Sequence, residues 1–551
     1  MWLDGNFTLA DLGDFNRTGG TVELWGTLDN TGTTFTLNEA TGSWNMHGGA
    51  IIGGVINETE GAKLQFDILD DLNELHGVTI NGDLDFRDCE GSLGIYDSLT
   101  VNGDIYLSDA FLSFWGPDMV LDNTTVHADQ GIIAPWPYGS DLELGPNLVI
   151  HGQDATIGEN GLPTVNNGLI SADTPAGSDK PLALVGSSFT NNGIVEAING
   201  GAVYVGEFGT YTNSETGVMR ATNGTIGYAA ANAKVWHNYG LVSVEDATLH
   251  LGGSWKNHAT ITAVNSTLTM GFKHSDPQSW LNEGLLLADN CSIDIDKAPY
   301  DHAGINTGLM QFHDCIGQIN TDWLNDGVFE LTGLSGLWLT AQRLENYADG
   351  TLTGGTWIVR DISLLAFDDP DAWITTNAAD IILDGPGAQF PALSYLETNE
   401  GHLTLTGGHD FATIAALFNG GQITIGEDST LSVAGDYVQS EDGMLDIVLA
   451  DLVAGDDFGL LEVVGSATLS GTLSVQLLSS YSPQFGDSFE FLTAASVWGT
   501  FSGYTFPDLP TPLCFAVDYA ASSVTLRVVP EPATAMLLAA SMMLLPRRRQ
   551  R

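Results

Sequence analysis

The sequence predicts an all-β protein: a parallel β-helix, or β-solenoid, with a C-terminal β cap region and a short hydrophobic C-terminal helix. Three observations carry this expectation. Gly occupies 66 of 551 positions, which favours tight turns and disfavours helix. Short segments alternate apolar and polar residues with period two, and no stretch of useful length carries the helical period. An Asn-x-Gly motif recurs at intervals of 19 to 25 residues between Gly168 and Gly350, averaging about 23. A period of this size points to stacked structural repeats, each of which buries its inner face only against its neighbours. A propeller blade needs roughly 40–50 residues, which this period does not meet.

Residues 1–160 read as irregular solenoid turns. Gly42 to Ile56 alternates in strand fashion with Gly-Gly punctuation at Gly48-Gly49 and Gly53-Gly54. Residues 161–430 read as the parallel β-helix proper. Its motif is Asn166-Asn167-Gly168, then Asn191-Asn192-Gly193, Asn238-Tyr239-Gly240, Asn282-Glu283-Gly284, Asn306-Thr307-Gly308 and Asn325-Asp326-Gly327. Looser copies are Asn213 to Gly217, Asn257-His258-Ala259 and Asn346 to Gly350, and the series continues through Asn399-Glu400-Gly401 and Asn419-Gly420-Gly421.

More of the phase repeats. Six residues after the Gly/Ala position stands Asn or Asp: Asn199, Asn223, Asp246, Asn265, Asn290 and Asp314, each followed by a small residue. Both types tolerate left-handed backbone, so this is turn chemistry, and stacking predicts a ladder of these polar residues along one corner. Trp236, Trp255, Trp280 and Trp323 stand two residues before the motif Asn. One turn therefore reads as three short strands, as in Gly240 to Val244, Thr248 to Leu251, and a third segment carrying the Trp. Residues 431–528 carry longer strand patterns, Leu431 to Tyr437 and Ala467 to Val475. They stand where a solenoid needs a cap against edge pairing.

Composition narrows the function. The net charge of −53 comes from 16 Lys+Arg against 69 Asp+Glu, which argues against nucleic acid as a partner, since phosphate binding needs clustered cations. With 43% hydrophobic residues and 13 Trp, the chain is not a disordered one. Four Cys are too few for a disulfide scaffold. Cys291 and Cys315 each lie seven residues after a motif glycine, Gly284 and Gly308, so stacking places them on adjacent turns. Neighbouring turns stand about 4.8 Å apart, inside the disulfide window of roughly 4.4–6.8 Å. A bridge and a stacked pair of thiols both fit.

The ends differ. Met1 to Asn6 has neither a basic nor an apolar leader segment, so the expectation is a misplaced start or a fragment. At the other end, Val529-Pro530-Glu531-Pro532 precedes the apolar run Ala535 to Leu545, then Pro546 and the basic residues Arg547, Arg548, Arg549 and Arg551. The uncharged stretch is short of the roughly 20 residues that span a bilayer, and the arginines favour the cytoplasmic side. This three-part tail, 529–551, closely resembles the PEP-CTERM sorting signal of bacterial exported proteins. The resemblance implies export, transient membrane retention through the C-terminal helix, and processing by an exosortase-type membrane protease near the Pro-Glu-Pro site. It also implies a Gram-negative-type envelope, often in a bacterium that makes exopolysaccharide. Residues 431–528 loosely resemble the C-terminal end of autotransporter-passenger-like β-solenoids.

No reaction is written in the chain. Lys and Arg outside the tail are scattered. The densest acids, Asp368-Asp369-Pro370-Asp371, Asp294 with Asp296, and Asp456-Asp457, lack the spacing of a calcium loop. There is no His-x-x-x-His pair and no Gly-x-Ser-x-Gly. No catalytic residue, cofactor site or metal site is assigned. The leading expectation is a non-catalytic cell-surface or extracellular-matrix protein associated with exopolysaccharide. The alternative is a carbohydrate-active β-helix enzyme, a polysaccharide lyase or hydrolase, which three or more carboxylates on one face with aromatics beside them would favour.

Overall fold

The computed structural model describes residues 1–531 apart from 67–71, 88–90, 138, 160, 174–180, 207–208, 229–234, 253, 271–278, 296–303 and 479–480. The chain divides into two compact units, Met1–Ile305 and Asn306–Arg551. Each is a parallel β-solenoid, and between them they wind about 18 turns. Among the described residues helix is confined to Leu9–Leu12 and two short 3-10 turns, Ala341–Arg343 and Pro391–Tyr395.

One turn shows why the sequence winds this way. Strands Leu241–Glu245, Thr248–Leu251 and Trp255–Asn257 form three faces. Alternation sends Val242, Val244, Leu249, Leu251, Trp255 and Asn257 inward, all buried. The next turn stacks in parallel register, Leu241 on Thr260 and Thr248 on Thr267. Each fully buried Val or Leu contributes about 1.5–3 kcal/mol, and only the neighbouring turn supplies that burial.

Two corners organise the turn. Between the first and second faces the chain bends through a single left-handed residue: φ is +56° at Asn199, +50° at Asn223, +49° at Asp246, +49° at Asn265, +52° at Asn290 and +50° at Asp314. The turn reading of these residues therefore holds. Along this corner the residues stack, and Asn290 Nδ2 donates to Asn265 Oδ1 at 2.7 Å, but the longer polar ladder is another one. It lies inside, at the corner that closes the third face, and is built from the first Asn of the motif. Asn166, Asn191, Asn213, Asn238, Asn257 and Asn282 are completely buried. Each of the first five donates from Nδ2 to the Oδ1 of the next at 2.8 Å. The second unit repeats the device. Asn306 donates to Asn325 at 2.8 Å, Asn377 to Asn399 at 2.8 Å, and Asn399 to Asn419 at 2.9 Å.

The inward aromatic column of the third face sits beside this ladder. Phe189 and Tyr211 stack at 5.5 Å, and Trp255 and Trp280 at 5.3 Å within 3° of parallel. At the next copy the column position holds Gly304, where a Cβ would stand 1.8 Å from Trp280 Cε2. The indole occupies the space that a side chain at 304 would need.

The parallel winding extends further in both directions than the 161–430 core. At the start, Trp2–Leu3 already pairs in parallel with Val22–Leu24. At the other end the region expected to cap the solenoid continues it: Leu431 pairs with Leu461, Met444 with Thr472, and Thr472 with Gly503, all parallel. The turns lengthen here, since the step from Met444 to its partner Thr472 takes more chain than the step from Gln422 to Met444. The long strand patterns are long solenoid strands. A tight antiparallel hairpin pairs Tyr347–Ala348 with Thr351 and Leu352, and at the end the sense reverses more extensively, where Ser523–Pro530 runs antiparallel to Ser488–Gly499 and to Leu513–Tyr519.

Candidate functional site

The tail motif enters the last strand. Val529 pairs with Cys514 and Pro530 with Leu513, and the Glu531 amide donates to Pro512 O at 2.7 Å. The first half of the motif is thus tied to the sheet, although a tail separate from the fold was expected from Val529 onward. Pro532, Arg547, Arg548, Arg549 and Arg551, with the apolar run between them, lie outside the described residues. No helix among the described residues is long and apolar enough to cross a membrane. Cys291 and Cys315 fall in different units, and both are buried thiols. Each Sγ lies 3.2 Å from the carbonyl oxygen two residues before it, Asp289 O and His313 O.

The acidic runs serve turns. Thr340 Oγ1 donates to Asp368, the Asp371 amide to Asp369, and the Val453 amide to Asp457. The Asp294 strand, Ser292–Ile295, exposes that carboxylate on the outer surface; Asp296 lies outside the described residues.

A denser constellation forms on the first face of the first unit, from residues that are scattered in the sequence. In parallel register Asp85 sits beside Tyr106, Tyr106 beside His127, and His127 beside His151. All four point outward, because their neighbours Leu84, Ile105, Leu107, Val126, Ala128 and Ile150 fill the interior. Arg87 grips Asp85 with Nε to Oδ1 at 2.8 Å and Nη2 to Oδ2 at 2.6 Å. Lys63 Nζ adds a contact to Asp85 at 3.2 Å and stands 3.8 Å from Asp83. The Arg87 guanidinium lies over the Tyr106 ring at 4.0 Å, a cation–π arrangement. Tyr106 Oη donates to Asp104 at 3.3 Å, His127 Nε2 meets the same carboxylate oxygen at 3.0 Å, and the two rings stack at 4.4 Å. His151 Nδ1 pairs with Asp173 at 3.2 Å.

The electrostatics sort these carboxylates. Hydrogen bonding to Arg87, opposed by desolvation, holds Asp85 well below the usual carboxylate range. Glu58, half-buried near Lys63 and Asp83, is pushed up to about 7 by desolvation even though the Leu64 amide donates to it at 2.7 Å. Gly82 leaves room for that carboxyl, since a Cβ there would stand 2.4 Å from Glu58 Oε2.

The second face of the same turns carries a parallel column. His76, Tyr96 and Trp115 stand in register, and Trp136 follows Pro135, which pairs with Phe114. His76 and Tyr96 stack at 4.3 Å, and Tyr96 and Trp115 lie 5.2 Å apart. Glu74 meets both His76 Nε2 at 3.0 Å and Tyr96 Oη at 3.4 Å. Burial, then the Glu74 charge, pushes the Tyr96 phenol up to about 12. Trp136 is 41% exposed.

Asp83, Asp85 and Asp104 with Tyr106 beside them meet the description that would favour a carbohydrate-active site. All three are nonetheless engaged: Asp83 by the Asp104 amide at 3.1 Å and by Lys63, Asp85 by two cations, Asp104 by a phenol and an imidazole. The signal for the first column was present in the sequence only as even spacing of Asp85, Tyr106 and His127 along the chain. No protein-family model matches the chain, and no curated protein is significantly similar to it.

Proposed function

We propose that the protein is an exported, non-catalytic cell-surface or matrix solenoid that holds exopolysaccharide along the first and second faces of its N-terminal turns. The single observation that supports this is the pair of outward columns, in which the rings of Tyr106, Tyr96 and Trp115 stand among carboxylates, histidines and an arginine. Rings offer apolar surface for sugar C–H groups, and fixed acceptors and donors suit hydroxyls. A turn spacing of about 4.8 Å repeats on the scale of a sugar residue. The antiparallel end at Ser488–Pro530 acts in this reading as the cap. The tail acts as the sorting signal, handed to an exosortase-type protease at the membrane.

Glu58 supports a second reading, a polysaccharide hydrolase or lyase. A carboxyl raised to about 7 and a carboxylate held ionised, both influenced by Lys63, suit the roles of acid and base catalysts. Affinity electrophoresis of the full chain through gels containing neutral or amino-sugar polysaccharide separates the two. Retardation that Trp115→Ala and Trp136→Ala abolish, with no new reducing ends, is the expected result. Reducing ends that disappear in Glu58→Gln would replace the binding reading with the enzymatic one.

A further inference from the structure

The third face of the first unit carries a pair of imidazoles outside both columns. Strand Val235–Asn238 sends Trp236 and Asn238 inward and leaves His237 on the outer surface. The next turn stacks Asn257 on Asn238, so His258 lies one turn above Tyr239. His237 Nδ1 and His258 Nε2 stand 3.3 Å apart. The two rings lie within 9° of parallel with centroids 5.6 Å apart, and the Tyr239 ring covers His258 at 4.5 Å and 6°. The other nitrogen of His258, Nδ1, is 2.5 Å from Glu283 Oε2.

The two nitrogens face each other along the line between the ring centres, a hydrogen-bonded pair whose spacing is already that of a chelate, and a modest tilt of the rings turns both lone pairs toward a common metal. Two imidazole nitrogens at 2.0–2.1 Å from a tetrahedral zinc stand about 3.3 Å from each other. Glu283 accepts the Nδ1 proton of His258, which leaves the Nε2 lone pair directed at His237. A carboxylate on the far nitrogen is the usual device for fixing the tautomer and raising the basicity of a metal-bound histidine. We propose that His237 Nδ1 and His258 Nε2 together bind one divalent transition-metal cation of the zinc or copper class, with water completing its coordination and Glu283 orienting His258.

Binding requires two local changes: the rings tilt so that both lone pairs meet at the metal, and His237 moves its proton from Nδ1 to Nε2, so no proton need leave the protein. Imidazole selects zinc and copper over magnesium and calcium, which prefer oxygen. The charge of −53 concentrates cations near the surface without choosing among them. Lys256, in register with His237, works against the bound cation. This inference does not depend on polysaccharide binding.

The test uses the full chain, stripped with chelator and titrated with Cu2+ and separately with Zn2+. One tight equivalent is expected, with copper EPR showing superhyperfine coupling to two nitrogens. That equivalent should vanish in His237→Ala and in His258→Ala, weaken on the order of tenfold in Glu283→Gln, and tighten in Lys256→Gln. These side chains lie on the outer surface, and circular dichroism verifies that each variant folds. An isotherm that is the same in wild type and in the double variant His237→Ala/His258→Ala, or a one-nitrogen spectrum, would overturn the proposal and leave a hydrogen-bonded imidazole pair.

Discussion

The two Asn-bearing corners of each turn use similar chemistry for opposite ends. At the inner corner the residue is Asn in every copy from Asn166 to Asn346. At the outer corner Asn and Asp interchange, as Asn223, Asp246, Asn265 and Asp314 show. The inner position uses the whole amide. Asn238 accepts from Asn213 and from the Gly240 amide, and donates to both Asn257 Oδ1 and Thr260 O. A carboxylate matches the acceptor half only. The outer position uses the backbone: what matters is tolerance of a left-handed φ, which short polar side chains share. A repeated residue type therefore marks two distinct constraints, and the pattern of permitted replacements tells them apart.

The largest effect that sharpens this contrast is expected inside. Asn238→Asp sets a carboxylate against Asn257 Oδ1 and Thr260 O, two acceptors in a completely buried row. Leaving a buried charge without compensation costs about 3–5 kcal/mol. Urea unfolding followed by tryptophan fluorescence should show the loss, because Trp236 and Trp255 are buried close by. The introduced carboxyl is tolerated best when protonated, so its native pKa is raised. The deficit is then present in full above that raised value and shrinks as pH falls through it toward the ordinary carboxylate range. A loss at neutral pH no larger than that of an ordinary surface substitution would mean that the ladder is not a stability element.

The sequence made the winding legible because its period is carried by residues with local duties. Left-handed corners need Asn or Asp, and the third strand marks itself with Trp236, Trp255, Trp280 and Trp323. The inner ladder was hidden in plain view: Asn before Gly reads first as a turn, and only stacking shows its side chain pointing into the core. The 431–505 turns read as a cap because they grow longer between Gln422 and Thr472, which breaks the period that announces the others. The surface columns were hidden for another reason. Their members, such as Asp85 and Tyr106 or His127 and His151, come from different turns, and nothing within a single turn marks them as partners. Proximity across turns is a property of the stack, and no local pattern encodes it.

An intermediate effect is expected at the outer corner when the side chain no longer suits the backbone. Asn223 holds φ at +50°. Ala in that region costs roughly 1–2 kcal/mol, whereas Gly adopts it freely. Asn223→Ala should lower the urea midpoint by an amount matching about 1 kcal/mol, and Asn223→Gly should restore most of it. If Gly proved as harmful as Ala, side-chain bonding and not backbone geometry would govern the outer corner, and the contrast with the inner one would collapse.

The smallest effect is the most discriminating. Asp246→Asn exchanges the two residue types that the outer corner already uses, at a position where φ is +49°. Asp246 faces an open polar trough lined by Asn223, Thr225, Thr248, Asn265 and Thr267. Solvent screens the lost charge, and the left-handed backbone suits both side chains equally. Stability should stay within about 0.5 kcal/mol of the parent. The chemically identical exchange in the opposite direction, at position 238, is expected to cost several times more. The two variants differ by the same pair of atoms and in the same repeat, so composition and local propensity cancel between them. What remains is whether the side chain must donate. A loss for Asp246→Asn approaching that of Asn238→Asp would show that the outer corner also reads the side chain, and that its mixture of Asn and Asp is fixed copy by copy.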